Sequence, residues 1–132
     1  MILLDTNVMI HYLKGDPAIA ARIHSASRGD LAIPAIVVYE LEYGTLRSTL
    51  PARRRRELEA GLAHLQHVPF DSAAAIAAAR IRVELEKQGS TIGPLDLLIA
   101  GTAVSRGAAL VTNNAREFAR VPGLRVMDWR AA

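Results

Sequence analysis

The sequence predicts an α/β fold in which helices cover both faces of a central parallel sheet. Short apolar runs of strand length alternate with longer segments that have helical periodicity. The chain has no internal repeat, no low-complexity linker and no shift of composition that would separate two domains. We therefore expect residues 1–132 to form one domain, and an apolar share of 51% is enough to build its core.

Five short apolar segments have the length and composition of buried parallel strands. They cover residues 2–4, 31–33, 65–68, 109–111 and 124–127. The first is followed by Asp5, and the fourth by the turn Thr112-Asn113-Asn114. Because sites in such sheets gather at the carboxyl ends of strands, we expect the functional site beside these two strand ends.

Helices are predicted from apolar spacing and from residues that typically start or stop a helix. They cover residues 6–14, 17–27, 35–48, 51–64, 72–87 and 94–106, and a turn is predicted at residues 28–30. Thr6 is predicted to cap the first helix, Asp16 the second, and Asp71 or Ser72 the fifth. Three helices begin at a proline in the first position, which suits its fixed φ.

Composition excludes several kinds of protein. With no cysteine, the chain has no disulfide framework, no thiolate metal site and no thiol nucleophile. No apolar run approaches the roughly 20 residues needed to cross a bilayer, and Asp5 interrupts the region where a signal peptide would develop. We therefore expect a cytoplasmic protein that does not enter the membrane.

The net charge of +3 favours an anionic partner. Lys14 and Lys87 are the only lysines among 16 basic residues, so the remaining basic residues are arginines, whose guanidinium groups bind phosphate in a bidentate manner. A coding bias toward Ala and Arg would produce the same count, so charge alone does not identify the partner.

Four carboxylates, Asp5, Glu40, Asp96 and Glu117, lie where apolar segments meet polar residues. Asp5 ends a strand, and Asp96 has leucine on both sides, an unusual setting for an acid. Glu40 and Glu42 are two residues apart on one predicted helix, so only one can face a shared site. Glu40 is expected to be the inward one.

Carboxylates brought to about 4 Å from one another repel by about 4 kcal/mol at an effective dielectric of about 20. A fold tolerates such a cluster if a cation lies among the acids or if some of them stay protonated. Oxygen ligands without His or Cys favour Mg²⁺ or Mn²⁺ over zinc. For any one of these acids alone, a surface carboxylate or a helix cap is the simpler interpretation.

Four segments in order, with two closing ones, resemble the PIN-domain ribonucleases and, more narrowly, the VapC toxins of VapBC toxin–antitoxin modules. The segments are Leu4-Asp5-Thr6-Asn7, Glu40-Leu41-Glu42-Tyr43-Gly44, Gly93-Pro94-Leu95-Asp96, Val111-Thr112-Asn113-Asn114-Ala115-Arg116-Glu117-Phe118, Val121-Pro122-Gly123-Leu124 and Asp128-Trp129. The similarity covers about residues 2–130. Each segment alone is weak evidence of family membership, but the order and spacing of the whole set make the resemblance specific.

The resemblance implies a three-layer α/β/α PIN-like domain and RNA cleavage that depends on Mg²⁺ or Mn²⁺. A water activated by the ion would attack the phosphodiester in line, leaving a 5′-phosphate and a 3′-hydroxyl. It also implies a VapB-type antitoxin as partner, a homodimer, and an RNA loop as substrate, with tRNA favoured over rRNA.

In the family's pattern, Asp5, Glu40 and Asp96 match the metal-binding acids. Many PIN domains carry a further aspartate after the fourth strand, where this chain has Asn113-Asn114. In the VapC subset a glutamate three residues on takes that place, so Glu117 inherits the role.

Polar residues beside the acids are candidates for orienting them or for contacting the scissile phosphate. They are Thr6, Asn7, Thr112, Asn114 and Arg116. Helix capping and turn formation explain the hydroxyl and amide groups equally well. The four histidines have no ligand spacing and are assigned no catalytic role.

The run of arginines at residues 53–56 covers a full helical turn and is followed by Glu57 and Glu59. We interpret it as a solvated helix face; a role in steering RNA would appear as salt-dependent affinity.

Two other functions compete with the nuclease. A non-catalytic module that sequesters RNA would use the arginines but leaves the acid cluster unexplained. Phosphoryl-transfer folds also begin with an aspartate after the first strand, but haloacid-dehalogenase-type phosphatases need a second aspartate where Asn7 stands. Response-regulator receivers need an acid pair and a placed lysine, which the two lysines fit poorly.

Overall fold

The computed structural model describes residues 1–26 and 29–130, and in that part it contains a five-stranded, fully parallel sheet and seven helices. The strands are β1 (Ile2–Leu4), β2 (Leu31–Pro34), β3 (Gln66–Val68), β4 (Ala109–Val111) and β5 (Arg125–Met127). The helices are α1 (Thr6–Leu13), α2 (Pro17–Ser25), α3 (Ala35–Arg47), α4 (Pro51–Leu62), α5 (Ser72–Lys87), α6 (Pro94–Ser105) and α7 (Ala115–Phe118). The predicted α/β class is confirmed.

The strand order β3-β2-β1-β4-β5 places β1 at the centre of the sheet. Leu3 is in register with Ala32 on one side and with Leu110 on the other. The chain builds β2 and β3 on one side of β1 and then crosses to build β4 and β5 on the other. The order therefore reverses between β1 and β4, and such switch points open a crevice at the carboxyl ends of the strands.

Every residue of β2 and of β4 is buried. Successive side chains of a strand point to opposite faces of a sheet, so burial of all of them requires cover on both faces. This explains why the strands appear in the sequence as unbroken apolar runs rather than as alternating patterns. It also confirms the three-layer α/β/α arrangement.

The predicted boundaries agree with the structure to within two residues wherever both ends are described. Two details were wrong or missed. Asp5, not Thr6, caps α1, since its side chain accepts a hydrogen bond from the backbone N–H of Thr6. The short helix α7 follows the turn after β4, where no helix was predicted. Ser27 and Arg28, assigned to a helix end and a turn, lie outside the described residues.

None of the helices in the described ranges has both the length and the apolar character required to span a bilayer.

Helices α5 and α6 pack at very close range through Gly101. A Cβ built on Gly101 would lie 2.6 Å from Cβ of Ala78 and 2.7 Å from the carbonyl oxygen of Ala74. Small residues on both helices therefore set their separation. Gly44, in the interior of α3, is the opposite case, because a Cβ there would meet nothing within 4 Å.

We expect Gly101→Ala to lower the free energy of unfolding by about 1–3 kcal/mol, because the backbone of α5 must move to admit the methyl group. Gly44→Ala is the matched control and should raise it by about 0.5–1 kcal/mol, since alanine favours the helix and nothing blocks it. Urea unfolding of both variants measures the two effects. A Gly101→Ala protein as stable as the wild type would contradict the close packing.

Candidate active site

Asp5 occupies the switch point, and both of its carboxylate oxygens accept hydrogen bonds. Its Oδ1 accepts from the backbone N–H of Thr6, the first residue of α1, at 2.8 Å. Its Oδ2 accepts from the hydroxyl of Thr112 at 2.6 Å. The residue is only 5% exposed. Burial raises the pKa of Asp5, and these two hydrogen bonds act in the opposite direction. The carboxylate is thereby fixed in one orientation between β1 and β4.

A chain of hydrogen bonds runs from Asp5 to Glu117. The fully buried Thr112, which donates to Asp5, accepts from the backbone N–H of Asn114 at 2.9 Å. The side-chain amide of Asn114 in turn donates to Oε2 of Glu117 at 2.9 Å. Asn114 lies directly before α7, and Glu117 lies within it. The turn after β4 thus connects two of the predicted acids.

Glu40 and Glu42 point in different directions from α3, in agreement with the sequence argument. The hydroxyl of Thr6 donates to Oε1 of Glu40 at 2.8 Å, which brings Glu40 to the start of α1. Glu42 instead forms a two-pronged ion pair with Arg55 of α4. Of the two, Glu40 is the residue beside Asp5.

Asp96 lies in the first turn of α6 and is half-buried. Burial is the largest cause of a rise in the pKa of Asp96 to about 6. Negative charges on three other carboxylates add to this rise, and they belong to Asp5, Glu40 and Glu117. The other three predicted acids are therefore close enough to Asp96 to act on it electrostatically. The sequence separates them by up to 112 residues, and the fold brings their charges together.

The chemistry of this donor set fits a hard divalent cation, because it consists of carboxylates whose mutual repulsion a cation would relieve. Across residues 1–26 and 29–130, no group of three or more Asp, Glu, His or Cys side chains is arranged so that it could hold a metal ion in its present conformation. Three of the acids instead accept hydrogen bonds from neighbouring hydroxyl, amide or backbone groups. The site is thus an open acidic cleft in which most of the carboxylates are already oriented.

The other two predicted residues, Asn7 and Arg116, are exposed on α1 and α7. Within the described part, the side chain of neither forms a hydrogen bond or an ion pair. Both are free to contact a ligand, and neither contributes to the network that holds the acids.

Three of the four arginines in the run on α4 pair with nearby carboxylates. Arg53 and Arg54 both pair with Glu57, at 3.2 and 2.9 Å, and Arg55 pairs with Glu42. This is the pattern expected of a solvated helix face, as the sequence indicated.

One polar group beside the site was not anticipated. The side-chain oxygen of Asn113 is buried and has no hydrogen-bond partner among the described residues. The backbone oxygen of Asn113 accepts from the guanidinium of Arg130 at 2.7 Å, and Arg130 is held by Asp128 at 3.0 Å. In the sequence, Asp128 stands out only as part of a closing motif. The spacing of these residues does not predict that Arg130 connects Asp128 to the turn after β4.

Comparisons with known proteins agree with this architecture. The PIN domain family matches residues 2–124. The chain is 41% identical to the "tRNA(fMet)-specific endonuclease VapC" of Shigella flexneri over 127 residues, covering 96% of each protein. It superimposes on VapBC of Salmonella typhimurium, crystallised bound to DNA, with a TM-score of 0.92, 40% identity and 97% of each chain covered. The DNA-bound VapBC2 of Rickettsia felis gives a TM-score of 0.93 at 33% identity, with coverage of 98% of this chain and 99% of that one.

An acidic cleft at the switch point of a parallel sheet, in a fold of this kind, defines a PIN-domain nuclease. Within that class, the chain belongs to the VapC ribonucleases of the VapBC toxin–antitoxin systems. It is an endoribonuclease and the toxic component of such a module. PIN-domain ribonucleases generally depend on a divalent metal. The alternative of a non-catalytic RNA-binding module does not agree with this assignment.

The raised pKa of Asp96 predicts a pH-dependent effect of Asp96→Asn on stability in the metal-free protein. Because the folded-state pKa lies above the model value of 3.8, the folded state keeps a proton that the unfolded state has lost. The stability that this proton gives the folded wild-type protein is fully present below about pH 4. It is lost as the pH rises through about 6. Asp96→Asn should therefore gain stability relative to the wild type between about pH 4 and pH 7.5.

Urea unfolding of both proteins in EDTA at the two pH values measures this difference. A stability difference that stayed constant with pH would contradict the electrostatic origin.

Proposed function

We propose that four carboxylates of this VapC ribonuclease hold Mg²⁺ or Mn²⁺ at the scissile phosphate of RNA. They are Asp5, Glu40, Asp96 and Glu117. The observation that carries the proposal is the placement of Asp96, whose pKa is raised most by burial and further by the negative charges of the other three acids nearby. An acid cluster that destabilises its own ionised form is the arrangement expected where a cation completes the site.

A bound Mg²⁺ or Mn²⁺ supplies Lewis acidity that activates water and offsets charge developing on the phosphate. The residues of the chain position the reacting groups. Asp5 is fixed by Thr6 and Thr112, Glu40 by Thr6, and Glu117 by Asn114. Orientation by such neighbours is typical of metal-ligating carboxylates. No protein nucleophile is required.

The proposed substrate is a tRNA, and tRNA(fMet) is the first to be tested. The support is the 41% identity to the tRNA(fMet)-specific endonuclease VapC of Shigella flexneri and the 39% identity to that of Salmonella typhimurium. Sequence-specific recognition of RNA mostly uses unpaired loops, where base edges are accessible. We therefore expect the cut to fall in a loop of the tRNA. The exposed Arg116 is the candidate for a direct phosphate contact.

The proposed partner is a VapB-type antitoxin, because the similar solved structures are VapBC complexes. A cavity of about 250 Å³ between α1, α3 and α4 opens beside Glu40. Its walls include Ile10, Leu41 and Leu58. An antitoxin tail with apolar side chains and one arginine would fill the cavity and place the guanidinium of that arginine among the acids.

We also propose that the toxin is a homodimer. Relief of toxicity by a coexpressed VapB-type antitoxin tests the partner, and light scattering tests the dimer.

Purified wild-type protein with Mg²⁺ should cut total cellular RNA at discrete positions and leave a 5′-phosphate. Asp5→Asn preserves the shape of the N-cap but removes a charge from the site, so cleavage should fall by at least about a hundredfold. Mapping the new 5′ ends identifies the RNA and the base at which it is cut.

EDTA is the matched control and should abolish the same ends. If discrete ends persisted in EDTA or in Asp5→Asn, the assignment of the metal site would be wrong. Cleavage at discrete ends outside tRNA would overturn the substrate and leave the site intact.

Asn114→Ala should weaken Mn²⁺ binding by about 10-fold, because it releases Glu117 from its fixed orientation. Glu117→Gln should have at least this effect, and the double variant should bind no more weakly than Glu117→Gln alone. Electron paramagnetic resonance of free Mn²⁺ measures the affinities.

Glu59→Gln, on the exposed face of α4, serves as the charge control and should bind Mn²⁺ like the wild type. Additive losses in the double variant would show that Asn114 does not act through Glu117.

A further inference from the structure

Helix α3 carries a flank of large side chains that remain exposed to solvent. Tyr39, Tyr43 and Leu46 follow one another at helical spacing and are 57%, 53% and 67% exposed. Exposed apolar side chains that form a continuous strip indicate a surface that binds something. The two tyrosines stand on either side of Glu40 in the sequence, so this flank adjoins the acidic cleft.

Tyr43 is held in place by Arg47, one helical turn further on. The guanidinium carbon of Arg47 lies 5.2 Å from the centroid of the Tyr43 ring, and its Nη1 donates to the phenolic oxygen at 3.2 Å. Such a cation–π contact orients the ring without burying it. In the part of the chain that the structure describes, Arg47 forms no ion pair, unlike Arg53, Arg54 and Arg55 of α4. Its positive charge is therefore available to a ligand.

The distance to the site follows from helix geometry. Tyr43 is three residues after Glu40, and side chains with this spacing are neighbours, with about 5–6 Å between their Cβ atoms. A strand of RNA that has a phosphate at the acids and runs along α3 places an adjacent nucleotide close to Tyr43. Aromatic rings and guanidinium planes are the groups on which unpaired bases stack.

We propose that Tyr43 and Arg47 form a platform that binds RNA next to the cleaved bond, with an unpaired base stacked on the ring and a phosphate at the guanidinium. The inference rests on the proposed function, since it takes the acids near Glu40 as the site of cleavage. It makes Tyr43 and Arg47 substrate-binding residues that select single-stranded over paired RNA.

The test measures RNA binding by the full chain in an Asp96→Asn background, where binding is separated from cleavage. The probe is a fluorescent single-stranded oligoribonucleotide that contains the mapped cleavage site, alone or annealed to its complement. Tyr43→Ala and Arg47→Ala should each weaken single-strand binding by about 10-fold. Tyr43→Phe keeps the ring and should retain most of the affinity. Arg47→Ala should also lower the slope of log affinity against log salt by about 0.7.

Leu46→Ala is the control on the same flank and should leave RNA binding unchanged. If Tyr43→Ala bound single-stranded RNA as tightly as the parent protein, the platform would be overturned. The proposed function would still stand if the wild type cleaved RNA.

If Tyr43→Ala weakened binding of duplex and of single-stranded RNA equally, selection of unpaired bases would be refuted. If Tyr43→Ala and Leu46→Ala both lowered the molar mass in light scattering and neither affected RNA binding, the flank would be a self-association surface instead. Failure of the wild type to cleave any RNA would count against the proposed function itself.

Discussion

The contact between Asp5 and Thr112 is the interaction on which the rest of the site depends. It joins the ends of β1 and β4 at the place where the strand order of the sheet reverses. The same carboxylate caps α1, and the same hydroxyl accepts from Asn114 before α7. A single buried acid therefore aligns a strand end, a helix start and a turn. Burial of this group is tolerated because each of its oxygens accepts a hydrogen bond.

The acids of the cleft, which we propose as metal ligands, place like charges together at a cost in stability. Packing alone would favour neutral side chains at Asp96, where burial and the surrounding carboxylates disfavour the charged form. Elsewhere the charges are compensated, as in the pair of Glu42 with Arg55. Among the described residues, none of the four acids of the cleft forms such an ion pair.

Much of the fold could be predicted from the sequence because a parallel sheet covered on both faces leaves short, unbroken apolar runs. The four acids of the cleft could also be predicted, since Asp5, Glu40, Asp96 and Glu117 lie where apolar segments meet polar residues. The N-cap of α1 was assigned one residue too late, because Asp5 and Thr6 are both good capping residues and only the end of β1 decides between them. Helix α7 has four residues, too few to show any periodicity. The link from Asn114 to Glu117 depends on that helix, so it was out of reach.

The hydrogen bond between Asp5 and Thr112 closes a loop of 107 residues. A ribosome that adds about 5–20 residues per second needs about 5 to 20 s to make the intervening chain. Throughout that time β1 has no neighbour on its β4 side, and the turn that carries Asn114 and Glu117 does not exist. The nascent polypeptide therefore cannot assemble the cleft, however early its first strand and helices form. Synthesis itself delays the activity of the enzyme until nearly all of the described chain has been made.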